Sequence, residues 1–267
     1  MISKRRKAEL SDLANYIATE DGDYGLPVNL EKIAKDNDIT FNLGNYETYF
    51  DGMLECDNGH FHIYLNNYGT HNLRSGRLRF SFAHELGHFF IDEHRLVLES
   101  GESLHHPSKY QMTQRDPVEE EADYFASCLL MPESLFLERC RGEFSFDLLE
   151  KLRNEFNVSL PAVASRYMEL GSTPIAVVCV NDGVMKYHLF SESFPYKFIK
   201  KDHRTNKVSP YTCAGDYFEN GMVCEETEIV EAKEWFNVWE DLRGVNVNEH
   251  CVYQKKYKQT FSILWFD

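Results

Sequence analysis

The sequence predicts an α+β fold in two parts, a mainly helical domain with a small β-sheet over residues 1–171 and a smaller β-rich domain over residues 172–267. Three observations carry this. Apolar residues recur at helical spacing in most of the first part. One stretch, "DGMLECDNGHFHIYLN", alternates as strands do. From Thr173 onward the texture turns to β-branched and aromatic runs.

The elements follow in order. Leu10, Leu13 and Ile17 mark a first helix, and Pro27 opens a second in "VNLEKIAKDN". Two strands flank a turn at Asp57-Asn58-Gly59, with Phe61, Ile63 and Leu65 on one face. His60 and His62 fall on the other face as solvated strand residues. A helix from Leu78 to Ile91 comes next, then a long polar connection, "ESGESLHHPSKYQMTQRDP". A single helix is expected over "VEEEADYFASCLLMPESLFLERC". Two more, "FDLLEKLRNEF" and "LPAVASRYMEL", are joined at "NVS", where Ser159 can cap and Pro161 lies in the first turn. Beyond the boundary, "PIAVVCV-NDG-VMKYHLF" is a hairpin signal, and "EIVEAKEWFNVW", "EHCVYQKKY" and "TFSILWF" read as β-rich runs.

Composition excludes several classes of function. With 43% hydrophobic and 27% charged residues the chain is an ordinary globular protein without long disorder. The 28 basic and 43 acidic residues leave a net charge of −15, which a phosphate backbone repels, so nucleic acid is not an expected partner. The last two helices of the first part resemble a helix-turn-helix in outline, yet the second carries only Arg166 to meet DNA. No apolar run reaches the roughly 20 residues that span a bilayer, and the basic start has no apolar segment behind it. Seven scattered cysteines without a C-x-x-C pair read as reduced thiols, which points to the cytoplasm.

The chemistry concentrates in "RFSFAHELGHFFIDEH". Residues four apart on a helix lie nearly over one another, so His84 and His88 can direct two imidazole nitrogens at one Zn²⁺. Glu85, about 100° round the helix, is placed to take a proton from water rather than to ligate. Phe82, Leu86, Phe89 and Phe90 form an apolar stripe, beside which buried imidazoles cost free energy unless something satisfies them.

The residue that closes such a site has two sources. His94 stands six residues after His88, the interval of the H-E-x-x-H-x-x-G-x-x-H scheme, but that scheme turns the chain with glycine where this one has Ile91. On a continuing helix His94 would lie about 240° round and ~9 Å along from His88. The other source is "DPVEEEADYFASCLLMP". There Glu119 fits a ligand, and equally a capping residue that reaches back to Asp116 with Pro117 starting the helix. Spacing leaves both open.

"FSFAHELGHFFID" followed by "EEEADYFASCLLMP" resembles the ImmA/IrrE family of zinc metallopeptidases, and the resemblance extends through "GLPVNLEKIAKDNDI" to cover roughly residues 5 to 170. It implies a zincin-like domain holding one Zn²⁺ per chain on His84, His88 and Glu119, with Glu85 as general base and Asp123 behind a ligand histidine. It further implies a regulatory role, cutting a helix-turn-helix repressor or an antitoxin-like protein. His105, His106 and Tyr110 in the long connection are candidates for an oxyanion partner or lid. The strand in "HFHIYLN" could offer its edge to an extended substrate. The competing reading is a non-catalytic metal-containing sensor with a peptidase-like fold; an intact Glu85 favours the enzyme. The C-terminal domain carries no assignable motif.

Overall fold

The computed structural model describes residues 2–22, 24–69, 75–101, 105–108, 116–237 and 242–267, and for residues 105–107 the backbone alone. They fall into two compact units, Met1–Arg139 with Glu150–Val163, and Cys140–Leu149 with Ala164–Asp267.

In the first unit, helix α1 (Lys4–Thr19) buries Leu10, Ala14 and Ile17 at helical spacing, and the Ser3 hydroxyl caps it by accepting from the Arg6 N–H. Helix α2 (Leu30–Asp36) starts three residues beyond Pro27, because Asn29 is the residue whose side chain accepts from Lys32 N–H. A four-stranded sheet follows, made of β1 (Thr40–Gly44), β2 (Gly52–Asp57), β3 (His60–Asn66) and β4 (His105–Ser108). Its order is β1-β3-β2-β4, with β1 parallel to β3 and the other pairs antiparallel. The β2–β3 turn is the expected one: Asn58 and Gly59 both have positive φ, as a tight two-residue hairpin requires. Phe61, Ile63 and Leu65 are buried as the alternation predicts.

The strand β3 lies inside the sheet with β1 and β2 on its two sides. The expectation that it offers a free edge to a substrate is therefore corrected; its backbone groups are already paired. The outer strand β4 arises inside the connection that the sequence marks only as polar. It is four residues long, too short to leave a periodic signal.

Helices α3 (Gly76–Phe90) and α4 (Asp92–Glu99) come before β4, and α5 (Pro117–Leu130) and α6 (Glu133–Arg139) after it. The single helix expected from Val118 to Cys140 is two, α5 and α6. Pro132 has no N–H to give and disfavours helical backbone at Met131, where φ is −132°. Helix α3 packs on the sheet through the pairs Phe41–Phe82 and Phe61–Phe89, with ring centroids 4.9 and 5.0 Å apart. Helices α7 (Phe146–Phe156) and α8 (Leu160–Leu170) each contribute to both units.

The second unit is a five-stranded antiparallel sheet of β5 (Ile175–Asn181), β6 (Val184–Phe190), β7 (Glu228–Glu231), β8 (Asn246–Gln254) and β9 (Gln259–Trp265), in the order β6-β5-β9-β8-β7. The predicted hairpin is β5–β6, turning at Asp182 and Gly183 with positive φ. Two helices, α9 (Cys213–Asn220) and α10 (Ala232–Trp235), were not signalled, the second lying within a run that reads as strand. On α8, Arg166 is buried and paired with Glu169 at 2.8 Å, so the one basic residue that could have met DNA faces inward. Among the described residues no helix is long and apolar enough to cross a membrane.

Candidate metal centre

Helix α3 begins where Ser75 Oγ accepts from Leu78 N–H, and its buried run from Ser81 to His88 includes both histidines and Glu85. Helix α5 lies against it. The close approach depends on Gly87: a Cβ there would stand 3.1 Å from Phe125 Cδ1 and 3.4 Å from the Ala122 backbone. Asp116 caps α5 as predicted, accepting from Val118 N–H at 3.0 Å, with Pro117 in the first turn. Glu119 faces the histidines of α3.

His84 Nε2 and His88 Nε2 are 3.0 Å apart, and Glu119 places Oε2 3.4 Å from the first and Oε1 3.4 Å from the second. Donors at ~2.0–2.1 Å from a common tetrahedral centre are separated by about 3.3–3.4 Å, so these three side chains fit one ion the size of Zn²⁺. They are the one group among the described residues with three metal-type donor atoms all within 4.8 Å of one another. Asp123 Oδ1 lies 2.8 Å from His84 Nδ1. A carboxylate there accepts the Nδ1 proton and leaves the Nε2 lone pair aimed at the shared point.

Glu85 is fully buried. Gly52 of β2 lies directly against it, since a Cβ on Gly52 would come within 2.5 Å of Glu85 Oε1. Neither carboxylate oxygen makes a well-formed hydrogen bond, although the Ser108 hydroxyl and the Leu54 backbone are near enough to favour its charged form. Burial dominates and pushes its pKa up to about 8, against the opposing charge of His84. For His84, burial opposes the positive charge, but Asp123 and Glu119 outweigh it and raise the pKa to about 10. Burial also opposes the charge on Glu119, and the two histidines more than compensate, holding its carboxyl well below the usual range.

His94 does not stand off from this cluster as a continuous helix would place it. Helix α3 ends at Phe90, Ile91 is extended with ψ 108°, and α4 turns the chain back, bringing His94 Nδ1 to 3.2 Å from His88 Nδ1. Spacing alone missed this because the break at Ile91 has no glycine or proline to announce it. Gly52 carried no signal either, as its role depends on which helix covers β2. The candidates Tyr110 and the side chains of His105 and His106 lie outside the described residues.

Residues 62–168 match the family model of the IrrE N-terminal-like peptidase domain. No curated protein matches the sequence significantly. Among solved structures the chain is similar to one titled a Mycobacterium tuberculosis transcriptional regulator, at 15% identity and a TM-score of 0.54, covering 98% of this chain and 78% of that one. At that identity the likeness speaks for the fold alone. The matched segment holds His84, His88 and Glu119 in one metal-type cluster, and residues 62–168 of this chain are a metallopeptidase domain of the ImmA/IrrE family.

Proposed function

We propose that the chain is a zinc-dependent endopeptidase that cuts a peptide bond in a specific regulatory protein, such as a helix-turn-helix repressor or an antitoxin, in the cytoplasm. The observation that carries the reading is the convergence of His84 Nε2, His88 Nε2 and the Glu119 carboxylate, with Asp123 behind His84 and Glu85 beside them. Two imidazoles and one carboxylate are a donor set that suits zinc and leaves a position for water or substrate. When bound, the ion supplies Lewis acidity toward a peptide carbonyl and acidifies water to a pKa near 7.

The side chains have separate tasks. His84, His88 and Glu119 hold the ion, and Asp123 keeps His84 in the tautomer that can ligate. Glu85, set about 100° round α3 from His84, takes the proton from the attacking water and passes it to the leaving amine. The Ser108 hydroxyl and the Leu54 backbone both favour its ionised form against the pull of burial. The preference for a regulatory protein comes from the family resemblance, and the net charge of −15 makes protein a better partner than nucleic acid.

The test is Glu85→Gln. It keeps the shape and the ligands, so zinc binding should match wild type while cleavage of a co-encoded repressor, followed by mass spectrometry, falls ~10²–10⁴-fold. Equal cleavage by both proteins would remove Glu85 from the mechanism. Stable binding without cleavage by wild type would favour the sensor reading.

A further inference from the structure

A second polar chain reaches the cluster at His88, as Asp123 does at His84. His94 Nδ1 is 3.2 Å from His88 Nδ1, and His94 Nε2 is 3.4 Å from Glu121 Oε2. That same oxygen accepts from Arg6 Nη2 at 2.7 Å and from Arg6 Nε at 3.0 Å. Arg6 also donates from Nη1 and Nη2 to the two carboxylate oxygens of Glu93, at 3.3 and 3.1 Å. The chain thus runs from the first turn of α1 through α5 and α4 to α3. His94 is buried, and Arg6 and Glu121 keep about a quarter and a fifth of their side chains exposed.

Proton positions along this chain are fixed from one end. His88 directs Nε2 at the point it shares with His84 and Glu119, so in the neutral ring its proton sits on Nδ1. His94 Nδ1 is then the acceptor, which puts the proton of His94 on Nε2, facing Glu121. Glu121 Oε2 accepts there, as it does from two nitrogens of the Arg6 guanidinium, which is always charged. Every neighbour along the line meets a group of the opposite hydrogen-bonding sense.

We propose that His94, Glu121 and Arg6 are a positioning relay that fixes the tautomer and orientation of His88, so that the opening turn of α1 helps set the metal affinity of the centre. This rests on His84, His88 and Glu119 holding a divalent ion, as argued above. His88 then receives from His94 what His84 receives from Asp123, and neither ligand ring is left free to rotate. Removing the relay lets the His88 ring turn or exchange tautomer, and affinity falls without loss of a ligand.

The experiment uses the full chain and measures Zn²⁺ affinity by competition with a chromogenic chelator, together with Co²⁺ absorption spectra that report ligand geometry. His94→Leu, of similar bulk, should bind Zn²⁺ about 10- to 100-fold more weakly. His94→Asn, whose Oδ1 can stand in for Nδ1 as the acceptor, should recover most of that loss, which a packing role would not produce. Arg6→Ala should weaken binding severalfold, and its effect should be less than additive with that of His94→Leu. Wild-type affinity in His94→Leu, equal losses in Leu and Asn variants, or full additivity with Arg6→Ala would each overturn the relay. Absence of stoichiometric Zn²⁺ binding by wild type would instead overturn the metal-centre reading on which the relay rests.

Discussion

Asp123 Oδ1 and His84 Nδ1 are 2.8 Å apart across the α3–α5 interface, one helical turn beyond Glu119 on α5. Through this pair a single face of α5 delivers both the carboxylate that joins the cluster and the carboxylate that orients it. Asp123→Ala should therefore weaken metal affinity about 10- to 100-fold with the fold intact. Isothermal titration with Zn²⁺ checks this; unchanged affinity would reduce Asp123 to a surface carboxylate.

Gly52→Ala tests the packing of Glu85. The added methyl would sit 2.5 Å from Glu85 Oε1, so the carboxylate must move or β2 must shift. Overpacking of this kind costs about 1–3 kcal/mol. The variant should bind Zn²⁺ as tightly as wild type, because none of the proposed ligands is touched, yet cleave at least ~10-fold more slowly because Glu85, the proposed general base, is displaced. Wild-type cleavage would show that Glu85 has room to spare.

The chelator-stripped chain should lose stability as pH rises from about 5 to about 9. Glu85 has a pKa of about 8 when folded against an ordinary 4.5, so between those values the folded state holds a proton that the unfolded state releases. His84, at about 10 against 6.5, adds a second loss in the same direction over that higher range. Glu119 has the opposite sign: its lowered pKa gives stability above its ordinary value that is lost as pH falls through its folded value. Thermal unfolding in excess chelator should thus give the highest Tm at mildly acidic pH, and Glu85→Gln should flatten the slope above it. Zinc affinity should rise with pH over the same interval, since protons compete for the ligands. A metal-free Tm that climbs from mildly acidic to alkaline pH would contradict the raised pKa values of Glu85 and His84.

In the second unit, Glu249 is fully buried and accepts from Cys213 N–H at 3.0 Å, Ala214 N–H at 3.3 Å, Ser262 Oγ at 2.7 Å and Trp235 Nε1 at 2.8 Å. It ties the start of α9 and the residue Trp235 to the centre of the sheet. Glu249→Ala strands these donors, each at about 1–3 kcal/mol, and should lower stability by more than ~3 kcal/mol in urea denaturation. A loss below ~1 kcal/mol would mean that water replaces the carboxylate.

The sequence by itself determined the elements whose signals are local. The four-residue spacing of His84 and His88 on an apolar helix, the Asp116-Pro117 start of α5, the Asn58-Gly59 turn and the β5–β6 hairpin all follow from backbone periodicity and turn chemistry acting over a few residues. The tertiary structure decided what depends on contacts between distant segments. Glu119 faces the histidines because α5 packs on α3, a close approach for which Gly87 leaves room by omitting a side chain. His94 came back to His88 because the chain bends at Ile91, and β4 formed because four residues found the edge of β2. Local propensity states a preference for each segment, but burial and close packing choose among the geometries that those preferences allow.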